Sequence, residues 1–301
     1  MKLYQLGLYE KSMPWSLGLP EKLKETGAAG YDYLELSIDE TDEKLSRLDW
    51  SQGEIKDLYL AMEASGIYIK SICLSGHRRF PLGDPDPEIR RRSLTIMEQT
   101  ITLAARLGVR IIQISGYDVY YKPSTAETQK FFAENLERSV YMAAREGVIL
   151  AFETMETPFI NTVTKAAAWV RKFQSPYLQI YPDTGNITNA ALEYGSGIKE
   201  DLENGAGYLA ALHLKESKPG VYREVPFGEG HVNFSEAIQT AWRLGTRLYV
   251  AEFWYTGTEP QLSEQAVSGI SGKSDKAGSW CETLRTNNRF LRNFLDKAVS
   301  T

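Results

Sequence analysis

Eight short runs of apolar, β-branched or aromatic residues, at positions 3–8, 31–36, 67–74, 110–114, 148–152, 178–181, 209–214 and 247–251, constrain the fold more than any other feature of this chain. Each has the length of a strand. Between them lie segments with helical spacing and readable starts. Ser51 and Glu54 form a capping box ahead of Ile55, Leu58 and Met62, and Asp86-Pro87 opens a helix whose inner stripe runs through Leu94, Met97, Ile101, Ala104 and Ala105. Ser124 with Glu127 is expected to open the next, turning Phe132, Leu136, Val140 and Ala143 inward. Further helices are expected over 164–173, 199–206, 235–244 and 279–297, and Gly27, Gly66, Gly108, Gly147 and Gly245 stand where left-handed helix ends need no Cβ.

Alternating strands and helices imply parallel strands joined by right-handed crossovers, and eight such units closed on themselves make an α/β (β/α)8 TIM barrel. An open doubly wound sheet is the rival, but neither a Gly-x-Gly-x-x-Gly turn nor a Walker loop is present to support dinucleotide or nucleotide chemistry. No low-complexity linker divides the chain, so residues 1–301 are read as one domain, with the Gly- and Ser-rich segment 255–278 as a loop. The 34 basic and 39 acidic residues give a net charge of −5 without long runs of either sign, which argues against a nucleic-acid or anionic-membrane binder. No stretch has the length and apolarity of a membrane span, and no cleavable leader is visible at the N-terminus, so a cytoplasmic protein is expected. Two cysteines, Cys73 and Cys281, are too few for a disulfide framework or a thiolate cage.

In such a barrel the chemistry sits at the C-terminal mouth of the strands, so the polar residue ending each run carries the functional signal. Four consecutive runs end in metal-capable groups: Glu153, Asp183, His213 and Glu252. One acid after a strand is ordinarily a helix cap or an ion-pair partner. Three carboxylates and an imidazole brought to one rim would repel unless a divalent cation neutralised them. Such an oxygen-rich set with a single imidazole suits one divalent metal ion, Mn2+, Mg2+, Co2+ or Zn2+.

Several strings resemble a known family: Leu36-Ser-Ile-Asp-Glu-Thr-Asp-Glu-Lys-Leu-Ser-Arg-Leu-Asp-Trp, Cys73-Leu-Ser-Gly-His-Arg-Arg-Phe-Pro-Leu, Ser115-Gly-Tyr-Asp-Val-Tyr-Tyr, Tyr181-Pro-Asp-Thr-Gly-Asn, His213-Leu-Lys with Lys218-Pro-Gly, and Val225-Pro-Phe-Gly-Glu-Gly. They look like those of the L-ribulose-5-phosphate/L-xylulose-5-phosphate 3-epimerases, xylose-isomerase-like TIM barrels of ascorbate and pentose utilisation. The resemblance extends to about Trp254. It implies that Glu153, Asp183, His213 and Glu252 hold one divalent metal and that Glu153 and Glu252 double as the catalytic acid/base pair. Epimerisation at C3 of a ketose removes a proton from one face of a carbon beside a carbonyl and returns one to the other face. A cation on the C2 oxygen would stabilise the intervening cis-enediolate.

A phosphorylated substrate needs basic partners, and His77-Arg78-Arg79 after the third run, Lys122 after the fourth, and Lys215 and Arg223 around the seventh are the candidates, Arg78 and Arg79 first. By resemblance Arg223 helps place substrate oxygens, and Glu156 reaches the sugar end although the family pattern more often has Asp there. Glu216 stands where the family usually has Asp and is left unassigned. His231 is expected to be a hydrogen-bonding loop residue, and Tyr9, Trp15 and Trp254 are candidate pocket walls. The resemblance also implies a homodimer. The leading expectation is a metal-dependent 3-epimerase acting on a small-molecule ketose phosphate, with a related enzyme for an unphosphorylated ketose and a non-catalytic sugar-phosphate binder as alternatives. Three histidines are too few for a trinuclear-zinc DNA-repair barrel.

Overall fold

The computed structural model describes residues 2–257 and 277–300, so most of the segment 255–278 read as a loop lies outside the described residues. Within them eight strands form a parallel ring: β1 (Gln5–Tyr9), β2 (Tyr33–Ile38), β3 (Tyr68–Leu74), β4 (Ile111–Ser115), β5 (Ile149–Glu153), β6 (Leu178–Tyr181), β7 (Leu212–Leu214) and β8 (Leu248–Ala251). β1 pairs with both β2 and β8, and isolated parallel bridges from Ile180 to Leu209 and from Asp183 to His213 link β6 to the β7 side. The barrel expected from the alternation is the one that forms.

Helices α1 (Leu19–Ala28), α2 (Asp42–Leu45), α3 (Gln52–Ser65), α4 (Pro87–Leu107), α5 (Ala126–Glu146), α6 (Val163–Phe173), α7 (Thr184–Tyr194), α8 (Ile198–Asn204), α9 (Phe234–Arg243) and α10 (Ala277–Val299) fill the crossovers and follow the last strand. Strand side chains alternate between two environments. In β2, Leu34, Leu36 and Ile38 belong to the large core beneath the helices, whereas Tyr33 lies with Tyr9, Cys73, Tyr181 and Val250 in a second cluster inside the ring. Full burial of each outer aliphatic contributes roughly 1.5–3 kcal/mol. Inside the ring, Tyr33 explains the glycine of β1, because a Cβ on Gly7 would lie 2.4 Å from the Tyr33 ring.

Local signals held where their chemistry was unambiguous. Ser51 and Glu54 make the reciprocal capping box of α3, Asp86 caps α4 ahead of Pro87, and Gly66, Gly108 and Gly147 end their helices with positive φ. Two expectations are corrected. α5 is capped by Thr125 with Thr128, because Ser124 instead donates to the buried Asp118 carboxylate. Gly27 lies within α1, and the positive φ there belongs to Gly30.

At the top of β1, Glu10 is wholly buried and accepts from Lys44 at 2.8 Å, from Arg47 at 2.6 and 2.8 Å and from the Ser37 amide at 2.9 Å. Despite the opposing pull of burial, these cations hold its carboxyl far below the usual range. The knot ties the first two strand ends to α2 and the turn that follows it.

Candidate active site

The mouth of the barrel is built by residues at strand ends. Glu153 ends β5, Asp183 caps α7 two residues beyond β6, His213 sits in β7, and Glu252 follows β8. All four are buried, and one donor atom from each lies within 4.8 Å of the others. His213 Nδ1 is 2.7 Å from Glu252 Oε2 and 4.0 Å from Glu153 Oε1. Asp183 Oδ1 accepts from the Asn186 amide at 2.7 Å and from Lys215 Nζ at 3.0 Å, while Oδ2 is buried with no hydrogen-bond partner.

The electrostatics show how crowded this cluster is. Burial, then the charge of Glu252, pushes the Glu153 carboxyl up to about 8. Burial also pushes Asp183 up to about 7, assisted by Glu252 and opposed by Lys215. For Glu252 burial acts upward too, but Lys215 and His213 prevail and hold it well below its ordinary range. Burial alone would lower His213, yet the carboxylates of Glu35 and Glu252 raise it well above its ordinary value. Separate acids thus share too few counter-charges, and a buried carboxylate oxygen is left unpaired. A divalent cation answers both, so this donor set fits one.

A cavity of about 130 Å3 opens above the cluster and is lined by Tyr9, Lys11, Arg78, Glu156, Lys215 and Arg223, among others. Arg78 stacks on Tyr120 at 4.6 Å, faces Glu40 at 3.7 Å, and has a buried Nε without a partner. Glu156 accepts from Tyr120 at 2.8 Å and lies 3.4 Å from Arg223, whose guanidinium sits 5.8 Å from the Trp254 ring. Lys215 is no surface cation. It is buried against Asp183 and Asn186, both at 3.0 Å.

Three expected substrate contacts do not reach this cavity. His77 is buried with Nε2 3.2 Å from the Ser93 carbonyl, and burial pushes it down to about 4. Arg79 is half-exposed and bonds Asp42 at 2.7 Å, and Lys122 is held by both Asp84 oxygens at 2.9 Å. In the 3-10 turn Gly76–Arg78, successive side chains point in different directions, so one arginine of the pair enters the mouth and the other leaves it. Trp15 is exposed, whereas Tyr9 and Trp254 do wall the cavity. His231 donates or accepts at Ser217 Oγ, 3.0 Å away, as a loop hydrogen-bonding residue. Glu216 accepts from the amides of Ser217, Gly228 and Val232 at 3.0–3.1 Å and so folds the loop that carries Arg223.

Two inward residues escaped sequence reasoning. Glu35 of β2 lies 2.6 Å from His213 Nε2, and the Gln113 amide of β4 sits 3.0 Å from Nδ1. Their signal was present as a charged and a polar residue interrupting apolar runs.

The family model described as xylose isomerase-like TIM barrel matches residues 23–271. The chain is 39% identical to the L-ribulose-5-phosphate 3-epimerase UlaE of Escherichia coli O1:K1 over 280 residues, which span 92% of this chain and 97% of that one. It belongs to the L-ribulose-5-phosphate 3-epimerase family. As a member it is a carbohydrate epimerase. The Shigella sonnei UlaE is 39% identical over 281 residues, covering 92% of this chain and 98% of its own. Among solved structures, D-psicose 3-epimerase with D-fructose superposes with a TM-score of 0.76 at 18% identity, covering 97% of this chain and 99% of that one. L-ribulose 3-epimerase gives 0.71 at 18%, covering 99% and 96%. At that identity the likeness establishes the shared barrel alone. Among the described residues no helix is long and apolar enough to cross a membrane.

Proposed function

We propose that this epimerase interconverts L-ribulose 5-phosphate and L-xylulose 5-phosphate by two-base proton exchange at C3, with one divalent cation held by Glu153, Asp183, His213 and Glu252. The observation that carries the reading is the convergence of these four buried donors, with one Asp183 oxygen left unpaired. When bound, the cation supplies Lewis-acid stabilisation of charge developing on the C2 oxygen. The chain's own groups move the proton. Glu153 and Glu252 come from strands separated by β6 and β7, so a flat sugar lying over the cluster meets a carboxylate from each side. One carboxylate takes the C3 proton, the C–H electron pair enters the C2–C3 bond, and the carbonyl pair moves onto oxygen. The other carboxylic acid then protonates C3 from the opposite face while the carbonyl re-forms. Lys215, buried beside Asp183, limits the excess negative charge in the mouth.

The substrate's phosphate is assigned to the basic outer rim. Arg78 leads because it lines the cavity, its Nε has no partner, and a guanidinium matches phosphate oxygens. Arg223 and Glu156 are assigned to the sugar hydroxyls between the two ends. The 39% identity to proteins named for L-ribulose 5-phosphate favours the phosphorylated substrate over a free ketose.

The test is incubation of the Mn2+-loaded protein with L-ribulose 5-phosphate in D2O. Formation of L-xylulose 5-phosphate carrying deuterium at C3, lost on chelation, is expected. Binding without exchange, or equal turnover of unphosphorylated L-ribulose, would overturn the assignment.

A further inference from the structure

We propose that Glu35 is the positioning residue that presents Nδ1 of His213 to the cation, an inference that rests on the metal reading above. Glu35 lies in the middle of β2, faces the inside of the ring and is wholly buried. A carboxylate there costs several kcal/mol to desolvate unless its oxygens are satisfied and its charge is matched. The satisfaction is visible: Ser71 Oγ donates to Oε2 at 2.7 Å, Tyr181 OH donates to the same oxygen at 3.0 Å, and Oε1 lies 2.6 Å from His213 Nε2.

The contrast with Glu10 is instructive. That carboxylate, equally buried, faces two lysines and an arginine and ties loops together. Glu35 has two neutral hydroxyls on one oxygen, and the other oxygen is left for the imidazole. Register supports the arrangement, since Glu35 pairs with Ser71 across β2 and β3, and Asp183 bridges to His213 across the closing seam. Tyr181 both donates to Glu35 and packs edge-on against the His213 ring, with centroids 4.8 Å apart. The ring is therefore fixed in rotation as well as in place.

Its direction follows. With Nε2–H donating to Glu35, Nδ1 is the nitrogen that faces Glu252 and Glu153, with the Gln113 side-chain nitrogen 3.0 Å away as the contact a cation would replace. A histidine whose far nitrogen is tied to a carboxylate keeps one tautomer and is a more basic ligand, and losing such a partner typically weakens metal affinity ~10–100-fold.

The experiment uses full-length protein and Mn2+ as the probe, with free Mn2+ followed by electron paramagnetic resonance. Glu35→Met, close in shape but without an acceptor, should raise the Mn2+ Kd roughly 10–100-fold, and Glu35→Gln, which keeps one acceptor oxygen, should fall between it and the wild type. A Glu35→Met Kd within about two-fold of wild type would overturn the assignment. Nitrogen-15 spectra of the Zn2+-loaded wild type provide a readout that needs no variant: a proton on Nε2 of His213 is expected, and a proton on Nδ1 refutes the proposal even if Glu35→Met does not fold. Failure of the wild type to bind Mn2+ at all would instead remove the metal reading, and this inference with it.

Discussion

Removing the cation should leave a protein whose stability falls as pH rises through neutrality. In the metal-free cluster Glu153 keeps its proton up to about 8 and Asp183 up to about 7, against ordinary values of 4.5 and 3.8. Both are raised in the folded state, so the native protein binds more protons than the unfolded chain between those limits, and stability drops with increasing pH there. His213, also raised, acts in the same direction above its ordinary 6.5. His77 acts in the opposite sense, because burial lowers it from 6.5 to about 4 and its penalty disappears above 6.5. The informative window is therefore pH 6.5 to 8.5. Each such group costs about 1.4 kcal/mol per pH unit until its folded value is passed. The two carboxyls titrate as one coupled set and together account for about 3 kcal/mol, and His213 adds to the fall. With an unfolding entropy of about 2.1 cal/mol/K per residue over 301 residues, each kcal/mol is worth about 1.6 °C, so the Tm of the chelated protein should fall by at least about 5 °C across the window. Saturating Mn2+ needs the carboxylates ionised, so its stabilisation should grow with pH, and at 100-fold excess over Kd it is worth ~2.7 kcal/mol. Differential scanning fluorimetry with and without chelator checks this, and Glu153→Gln should make the slope shallower. A chelated Tm that is flat or rises from pH 6.5 to 8.5 would refute the cluster electrostatics.

Glu153→Gln and Glu252→Gln should each lower kcat ~10²–10⁴-fold, or about 2.7–5.4 kcal/mol of barrier, measured at confirmed metal occupancy. Each variant should also retain solvent deuterium exchange into only one of the two epimers, and exchange into both would eliminate the two-base scheme. Arg78→Ala should raise KM for the phosphorylated ketose at least ten-fold, on the order of one lost charge-assisted contact, whereas Arg79→Ala, which frees Asp42, the Glu40 carbonyl and the Phe80 ring outside the cavity, should leave KM unchanged. Equal effects from the two would move the phosphate away from Arg78.

The barrel was legible because its cause is local: eight apolar runs and the helices between them announce the alternation, and burial then leaves few closures. The four rim donors were legible for the same reason, since a strand's last residue is placed by the strand itself. Short, weakly apolar elements were harder. α7 was not anticipated because its opening residues, Thr-Gly-Asn-Ile-Thr-Asn, carry little helical preference, and Asp183, singled out as a ligand, is also its N-cap. The arginine pair shows a second limit: adjacency in sequence cannot say which side chain a single turn aims inward, and Arg78 and Arg79 part company there.

Glu35 exposes the deepest limit, and its physics is specific. Along the chain it is one of two acids within residues 31–36, and its periodicity suggests only a half-buried strand. Its meaning comes from closure, because only a ring brings β2 opposite β7 and lets a carboxylate meet an imidazole 178 residues away. Long-range polar contacts across a barrel therefore cannot be read from strand ends alone. They can be sought by asking which charged residue interrupts an apolar run without an adjacent counter-charge. In this chain that question selects Asp32, Glu35 and Lys70, and of the three it is Glu35, wholly buried, that meets the same histidine that the rim places among three acids.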